Sequence, residues 1–102
     1  MVKEILAADI ESDNGGFQVK GALTFATVPA LIEKIDVNTI SAESAVVVDL
    51  SGVTHSDSAG LALLLQWLSN ARMAGGDLRF INIPDQVKQF ININGLAEIL
   101  VS

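Results

Sequence analysis

A β-branched run near the middle of the chain, Ala-Val-Val-Val-Asp-Leu at residues 45–50, limits the folds open to it. A continuous run of this kind is typical of a strand covered on both faces. We therefore predict the central strand of a sheet here. The longest helical segment follows, from Asp57 to Ala74, with Asp57 or Ser56 as N-cap and Gly75-Gly76 as its stop.

The other elements follow from alternation, turn residues and capping. We predict a strand from Lys3 to Ser12, a tight turn at 13–16, a second strand from Phe17 ending at Gly21, a helix closing near Asp36, a strand from Leu78 to Ile83, and a last helix from Pro84-Asp85 through Asn92. Thr24 or Thr27 can cap the first helix, whose first turn accommodates Pro29. The order predicts an α/β fold: a mixed four- to five-stranded sheet with an N-terminal hairpin, backed by about three helices.

The chain has 102 residues, which suits one domain, 1–102. Half of its residues are hydrophobic, and they can form the core of this domain. A net charge of −6 with only six Lys and Arg argues against nucleic acid and against adhesion to anionic lipid. The absence of Cys and of a leader at Met1 to Ala8 favours the cytosol. Since no apolar run approaches the ~20 residues of a membrane span, we expect no direct membrane insertion.

The densest polar cluster, Thr54 to Ser58, does not suit catalysis. Three nearly consecutive residues entering a helix point in different directions, so they cannot form a hydrolytic triad. Asp49 lacks the acidic partners of a phospho-accepting aspartate and is predicted to accept hydrogen bonds from a turn at Ser51 to Thr54. His55, the only histidine, cannot make a transition-metal site alone. We expect no enzyme activity, cofactor or metal, although amides at the helix start would attract any anion weakly.

The long helix has two different faces when each residue advances by 100°. The predicted core face holds Gly60, Leu64, Trp67, Leu68 and Ala71. The opposite face is polar, with a few small or flexible apolar groups that suit a docking surface. Its candidate partner-binding residues are Ser58, Ala62, Leu65, Gln66, Ser69 and Met73. Isolated exposed apolar residues are also common on surfaces without a partner, so both interpretations stay open at this point.

The segments 46–53, Val-Val-Val-Asp-Leu-Ser-Gly-Val, and 57–64, Asp-Ser-Ala-Gly-Leu-Ala-Leu-Leu, resemble the signature of STAS domains. The likeness covers nearly the whole chain and implies a non-catalytic, protein-binding role. In the anti-sigma factor antagonist branch, the serine that matches Ser58 is phosphorylated by an anti-sigma factor serine kinase. Asp57 would then cap the helix and present that serine. Ala59 stands where a second serine is frequent, and Thr24 stands where that branch places an aspartate.

The segments 24–31, Thr-Phe-Ala-Thr-Val-Pro-Ala-Leu, and 60–65, Gly-Leu-Ala-Leu-Leu-Leu, look more like the Mla-type branch of the family. That resemblance implies a cytoplasmic accessory subunit, held at the inner membrane by the ATPase subunit of an ABC-type phospholipid transporter that maintains outer-membrane lipid asymmetry. The alternative is an anti-sigma factor antagonist regulated by phosphorylation of Ser58.

Overall fold

The computed structural model describes residues 8–13, 16–35 and 46–96. Its elements in chain order are β1 (Ala8–Asp13), β2 (Gly16–Leu23), α1 (Val28–Leu31), β3 (Val46–Ser56), α2 (Ser58–Met73), β4 (Leu78–Ile81) and α3 (Asp85–Ile93). The predicted α/β fold is confirmed as one four-stranded mixed sheet with three helices. The predicted strand at Lys3 to Ala7, the tip of the first turn at 14–15 and the tail beyond Leu96 lie outside the described residues.

The strands follow one another across the sheet in the order β1-β2-β3-β4. β1 runs antiparallel to β2, with Ile10 opposite Val19, as expected for the predicted N-terminal hairpin. β2, β3 and β4 are parallel, and Phe17 on β2 and Phe80 on β4 both align with Val48 of β3. The run at 45–50 was therefore correctly predicted to belong to a central strand. Because these three strands are parallel, their carboxyl ends meet at one edge of the sheet.

The central strand is longer than predicted, and the turn predicted at Ser51 to Thr54 is wrong. β3 continues from Val46 to Ser56 because its second half pairs in parallel with β2, where Leu23 lies beside Ser56. The register of the pairing shifts between Gln18 and Lys20, where Lys20 lies opposite Gly52, and a Cβ at Gly52 would lie only 2.9 Å from the Val19 carbonyl oxygen. The polar residues before α2 therefore belong to a strand end.

The first helix is shorter than predicted. Its α-helical part ends at Leu31, and the chain continues in a turn in which the Lys34 amide donates to the Leu31 carbonyl, an i→i+3 bond. The β-branched Ile32 and Ile35 disfavour further α-helix, yet Ile35 remains buried in the core. The predicted end at Asp36 lies just outside the described residues.

The core lies between the sheet and the helices. The residues predicted for the buried face of α2 are all buried: Gly60, Leu64, Trp67, Leu68 and Ala71. Val87 and Ile91 of α3 join the same core. The Trp67 indole N–H donates to the carbonyls of Leu31 and Ile32, at 3.3 and 3.1 Å. This bond satisfies the one polar atom of the buried indole and ties α2 to the end of α1.

Candidate docking surface

The start of α2 is fixed by a carboxylate that touches two segments of the chain. One oxygen of Asp57, the N-cap of α2, accepts the Ala59 amide at 2.8 Å, satisfying one of the free N–H groups of the first turn. The other oxygen accepts the Phe25 amide in a longer bond of 3.4 Å. The backbone N–H of Asp57 donates to the Leu23 carbonyl at 3.0 Å. Asp57 therefore links the helix start to the loop that follows β2.

Ser58 occupies the first residue of α2, and it is exposed. Its hydroxyl is at the end of the helix where the macrodipole is positive. Two residues further on, Gly60 packs against the end of β3 so closely that a Cβ there would collide with the Ser56 hydroxyl. Ser56 is itself buried and donates through that hydroxyl to the Asp57 carbonyl at 2.9 Å. Close packing of helix on strand therefore sets the position of Ser58.

The side of α2 that faces away from the core is here called the α2 outer face. It consists of Ser58, Ala62, Leu65, Gln66, Ser69 and Met73. Five of these six residues are exposed, and Met73 has 85% of its surface accessible. Leu65 differs, because it is half-buried and packs against the hydrophobic core. These six residues carry no charge, but the exposed guanidinium of Arg72 lies beside them and is paired with Asp77, so a partner that covers this face also desolvates one ion pair.

The lower half of the α2 outer face contains a depression of about 430 Å³. Leu65, Leu68, Ser69, Arg72 and Met73 line it. Its floor is aliphatic, whereas the Arg72 guanidinium at its edge is paired with Asp77 at 3.4 Å. Such a depression can accept an apolar side chain of a partner, and flexible Met73 can adjust to its shape.

A second element of the surface, which the sequence did not indicate, is the loop of residues 24–27 between β2 and α1. Phe25 at its tip is 72% exposed. Hydrogen bonds hold the loop on both sides: the Thr24 hydroxyl accepts the amides of Ala26 and Thr27, and the Thr27 hydroxyl donates to the Ala22 carbonyl at 2.7 Å. Both threonine side chains therefore hold this turn, and the Thr27 hydroxyl also accepts the Thr24 amide at 3.0 Å. Thr27 is the N-cap position of α1 but makes no capping bond.

Helix α3 borders the same edge of the sheet from the other side. The Gln86 side chain accepts the Ser56 amide at 2.9 Å, so the first turn of α3 lies against the end of β3. Asp85 in that turn is exposed, as is His55 near the end of β3. We call this region the strand-end surface, and define it as Phe25, His55, Asp57, Ser58, Asp85 and Gln86. It is continuous with the upper end of the α2 outer face at Ser58.

Asp49 serves a local structural purpose near the end of β4. Its carboxylate accepts the Ser51 amide at 2.9 Å and the Asn82 side-chain amide at 3.1 Å. The bond from the Ser51 backbone, followed by that from Asn82, lowers the pKa of Asp49 below its ordinary value. Asp49 was correctly predicted to accept hydrogen bonds from Ser51, although Ser51 lies in a strand. Asn82 adopts φ +55°, a left-handed conformation that ends β4 before the predicted Ile83.

The described part of the chain lacks the marks of a metal centre, of an unpaired buried polar group and of a membrane-spanning helix. Within residues 8–13, 16–35 and 46–96, no three His, Cys, Asp or Glu side chains cluster as metal ligands would. Over the same ranges, every buried side-chain nitrogen and oxygen has a hydrogen-bond partner. None of the helices in those ranges has the length and apolar character needed to cross a membrane.

Known proteins place this architecture in a family. A family model described as "Mlab, STAS domain" matches residues 6–102. The chain therefore belongs to the STAS domain family, and the resemblance to its MlaB-type members predicted from the sequence is confirmed. No curated protein matches the chain.

Solved structures with this fold include the anti-sigma factor antagonist SpoIIAA in its unphosphorylated form, with 17% identity, a TM-score of 0.66, and coverage of 93% of this chain and 86% of that one. An anti-sigma factor antagonist from Mycobacterium paratuberculosis has 24% identity, a TM-score of 0.66, and coverage of 93% and 82%. The murine Slc26a9 anion transporter has 24% identity and a TM-score of 0.64 over 89% of this chain, which spans 16% of the transporter. At these identities the likeness concerns the fold.

Proposed function

We propose that this STAS domain is a non-catalytic accessory subunit that binds the ATPase of an ABC-type phospholipid transporter, in a system that maintains outer-membrane lipid asymmetry. The α2 outer face carries the proposal: its six residues between Ser58 and Met73 are uncharged, five of them are exposed, and the neighbouring Arg72 is held in an ion pair. Such a face can lie along a complementary groove or helix of a partner. The match to the MlaB-type family model supports a transporter partner.

In this proposal the domain contributes no reacting group. A bound subunit changes the activity of an ATPase only if it contacts some conformational states of the ATPase better than others. The rigid core beneath α2 suits this task, because a stiff element transmits a preference between states without deforming. The subunit would reside on the cytoplasmic side of the inner membrane, held there by its partner.

The test is an affinity capture from native membranes solubilised in mild detergent, with the wild type, Ala62→Glu and Gln89→Glu as baits. Both substitutions add one carboxylate at an exposed position of a helix, but only Ala62 belongs to the α2 outer face. We expect the wild type and Gln89→Glu to recover an ABC ATPase with its permease, and Ala62→Glu to lose both. Equal recovery by all three baits would mean that the α2 outer face is not the contact surface.

A second candidate function is an anti-sigma factor antagonist, and the position of Ser58 favours it. The serine is exposed in the first turn of α2, where the helix dipole stabilises a phosphate while the Asp57 carboxylate opposes it. A phosphate there would alter the docking surface without unfolding the domain. Recovery of a soluble serine kinase in place of the ATPase in the same capture would favour this candidate, and mass spectrometry of Ser58 would then report its phosphorylation.

A further inference from the structure

We propose that Phe25 is an aromatic anchor of the docking surface, inserted into an apolar pocket on the ATPase that is rimmed by basic side chains. This inference rests on the proposed function and extends the contact from α2 to the loop of residues 24–27. Phe25 is 72% exposed, and its backbone amide is hydrogen-bonded to Asp57. Aromatic side chains are enriched at the centres of protein interfaces, where a few of them supply most of the affinity.

The loop is already held in a binding conformation. Thr24 and Thr27 bond to each other's backbone within the loop, and Thr27 also donates to the Ala22 carbonyl of β2. The Phe25 amide itself contacts the Asp57 carboxylate. Because the backbone of the loop is fixed before binding, less conformational entropy is lost when a partner immobilises the Phe25 ring. A free loop tip would instead favour a small or polar residue at this position.

The position of Phe25 makes it part of the same contact as Ser58. Asp57 accepts one amide from the loop and one from α2, so both segments lie within reach of a single side chain. A partner that covers the first turn of α2 therefore lies next to the loop that carries the exposed Phe25 side chain. The apolar part of the interface would then extend from Phe25 at the strand-end surface to Met73 at the far end of the α2 outer face.

The charge around Phe25 defines the chemistry of the rim. Asp57 and Asp85 place two carboxylates on the strand-end surface, and Lys88 lies exposed one turn beyond Asp85 in α3. Lys20, Lys34 and Arg72 are each engaged in an ion pair elsewhere on the molecule. The chain as a whole carries −6. Arg or Lys side chains around the partner's pocket would therefore be complementary to this surface, and acidic side chains there would be rejected.

The experiment measures dissociation constants by calorimetry for the wild type, Phe25→Ala, Phe25→Leu and Ile93→Ala. The probes are the purified ATPase subunit of the phospholipid transporter and the purified anti-sigma factor serine kinase from the same genome. Ile93 is the matched control, since it is 80% exposed and ends α3, about 12 Å along that helix from its first turn. Urea unfolding of each variant checks that the exposed substitutions leave the domain folded.

We expect Phe25→Ala to weaken binding of the ATPase at least about tenfold, Phe25→Leu to weaken it less, and Ile93→Ala to leave it unchanged. If the wild type binds the ATPase and Phe25→Ala binds it equally well, Phe25 is not an anchor, and the proposed function still stands. If the wild type binds the kinase only, the proposed function fails, and so does an anchor for the ATPase. If it binds neither probe, both inferences are overturned.

Discussion

Gly60 determines how closely α2 approaches the end of β3. A Cβ at this position would overlap the Ser56 hydroxyl and would also lie 3.4 Å from the Leu23 side chain. We predict that Gly60→Ala lowers the free energy of unfolding by about 1–3 kcal/mol, as overpacking of a core usually does. The better helix propensity of Ala, about 1 kcal/mol, offsets part of the overpacking cost, so we expect a net loss toward the lower end of this range. Urea denaturation of the purified domain measures it.

The control for Gly60 is a double-mutant cycle with Ser56→Ala. Removing the hydroxyl relieves the worst overlap, so Gly60→Ala should cost less in the Ser56→Ala background than in the wild type. Ser56→Ala alone should cost about 1 kcal/mol, because it deletes the bond to the Asp57 carbonyl. Strictly additive losses would show that the clash with Ser56 does not determine the packing of α2.

Asp49 provides a pH-dependent prediction. Its folded pKa lies below the ordinary value of 3.8, so its bonds stabilise the fold above that value, and this contribution is lost as the pH falls through the folded pKa. Asn82→Gly removes the amide donor while keeping a residue that accepts φ +55°. We expect the pKa of Asp49 to rise toward its ordinary value in this variant, so that Asp49 contributes less stability above that value and less stability is lost on acidification.

The measurement is an NMR titration that follows the Asp49 side-chain carboxyl carbon in both proteins. Asp9 is the internal control, because its pKa is also lowered, by the Ile10 amide first and by Lys34, and neither group contacts Asn82. An unchanged Asp49 titration in Asn82→Gly would mean that the Ser51 amide alone sustains the shift.

At the scale of the elements, Trp67 connects α2 to the end of α1 by hydrogen bonds. Trp67→Phe keeps an aromatic ring in the core but deletes the N–H that bonds the carbonyls of Leu31 and Ile32. We predict a loss of about 1–3 kcal/mol, from the missing bond and the smaller ring. Amide hydrogen exchange should accelerate in α1 more than in β3, since α1 depends on this link. Equal acceleration in both elements would indicate a uniform loss of stability instead.

The elements differ in how far the sequence determines them. The strand at Val46–Leu50 and the buried face of α2 were predictable, because their hydrophobic patterns are long and reflect local burial. The extension of β3 to Ser56 was not, since Ser51-Gly52 resembles a turn and only pairing with β2 keeps it extended. Similarly, the spacing of Ile32 and Ile35 correctly predicted that these residues face the core, but it wrongly predicted that they lie in a helix.

The candidate site divides in the same way. The exposed positions of the α2 outer face followed from helical periodicity, whereas half-buried Leu65 did not, because neighbouring segments determine what covers it. The sequence did not predict Phe25 as a contact residue, because a single residue in a loop shows no hydrophobic periodicity. The local pattern at Phe25 is an aromatic residue between two threonines that form a turn, and the resemblance of residues 24–31 to the Mla-type branch gave Phe25 no role of its own. Its contact with Asp57, 32 residues away, depends on the completed sheet.

At the scale of the whole molecule, the parallel arrangement brings the functional candidates together. β2, β3 and β4 end at one edge, so the loop of residues 24–27, the start of α2 and the start of α3 all lie there. Binding surfaces of α/β proteins commonly form at this edge. In this chain, the edge joins an aromatic ring, two carboxylates and an exposed helix face.

The overall charge of −6 leads to a prediction about kinetics. If the ATPase offers a basic rim, its association rate with this domain should fall several-fold as NaCl rises from about 20 mM to 300 mM, while the dissociation rate changes little. Stopped-flow mixing of the two purified proteins measures both rates.

Asp85→Asn, on the strand-end surface, should reduce the salt dependence of the association rate. The matched substitution Glu33→Gln, exposed in the turn after α1, should not. An association rate independent of salt would show that apolar contacts through Phe25 and α2 drive the encounter without electrostatic steering.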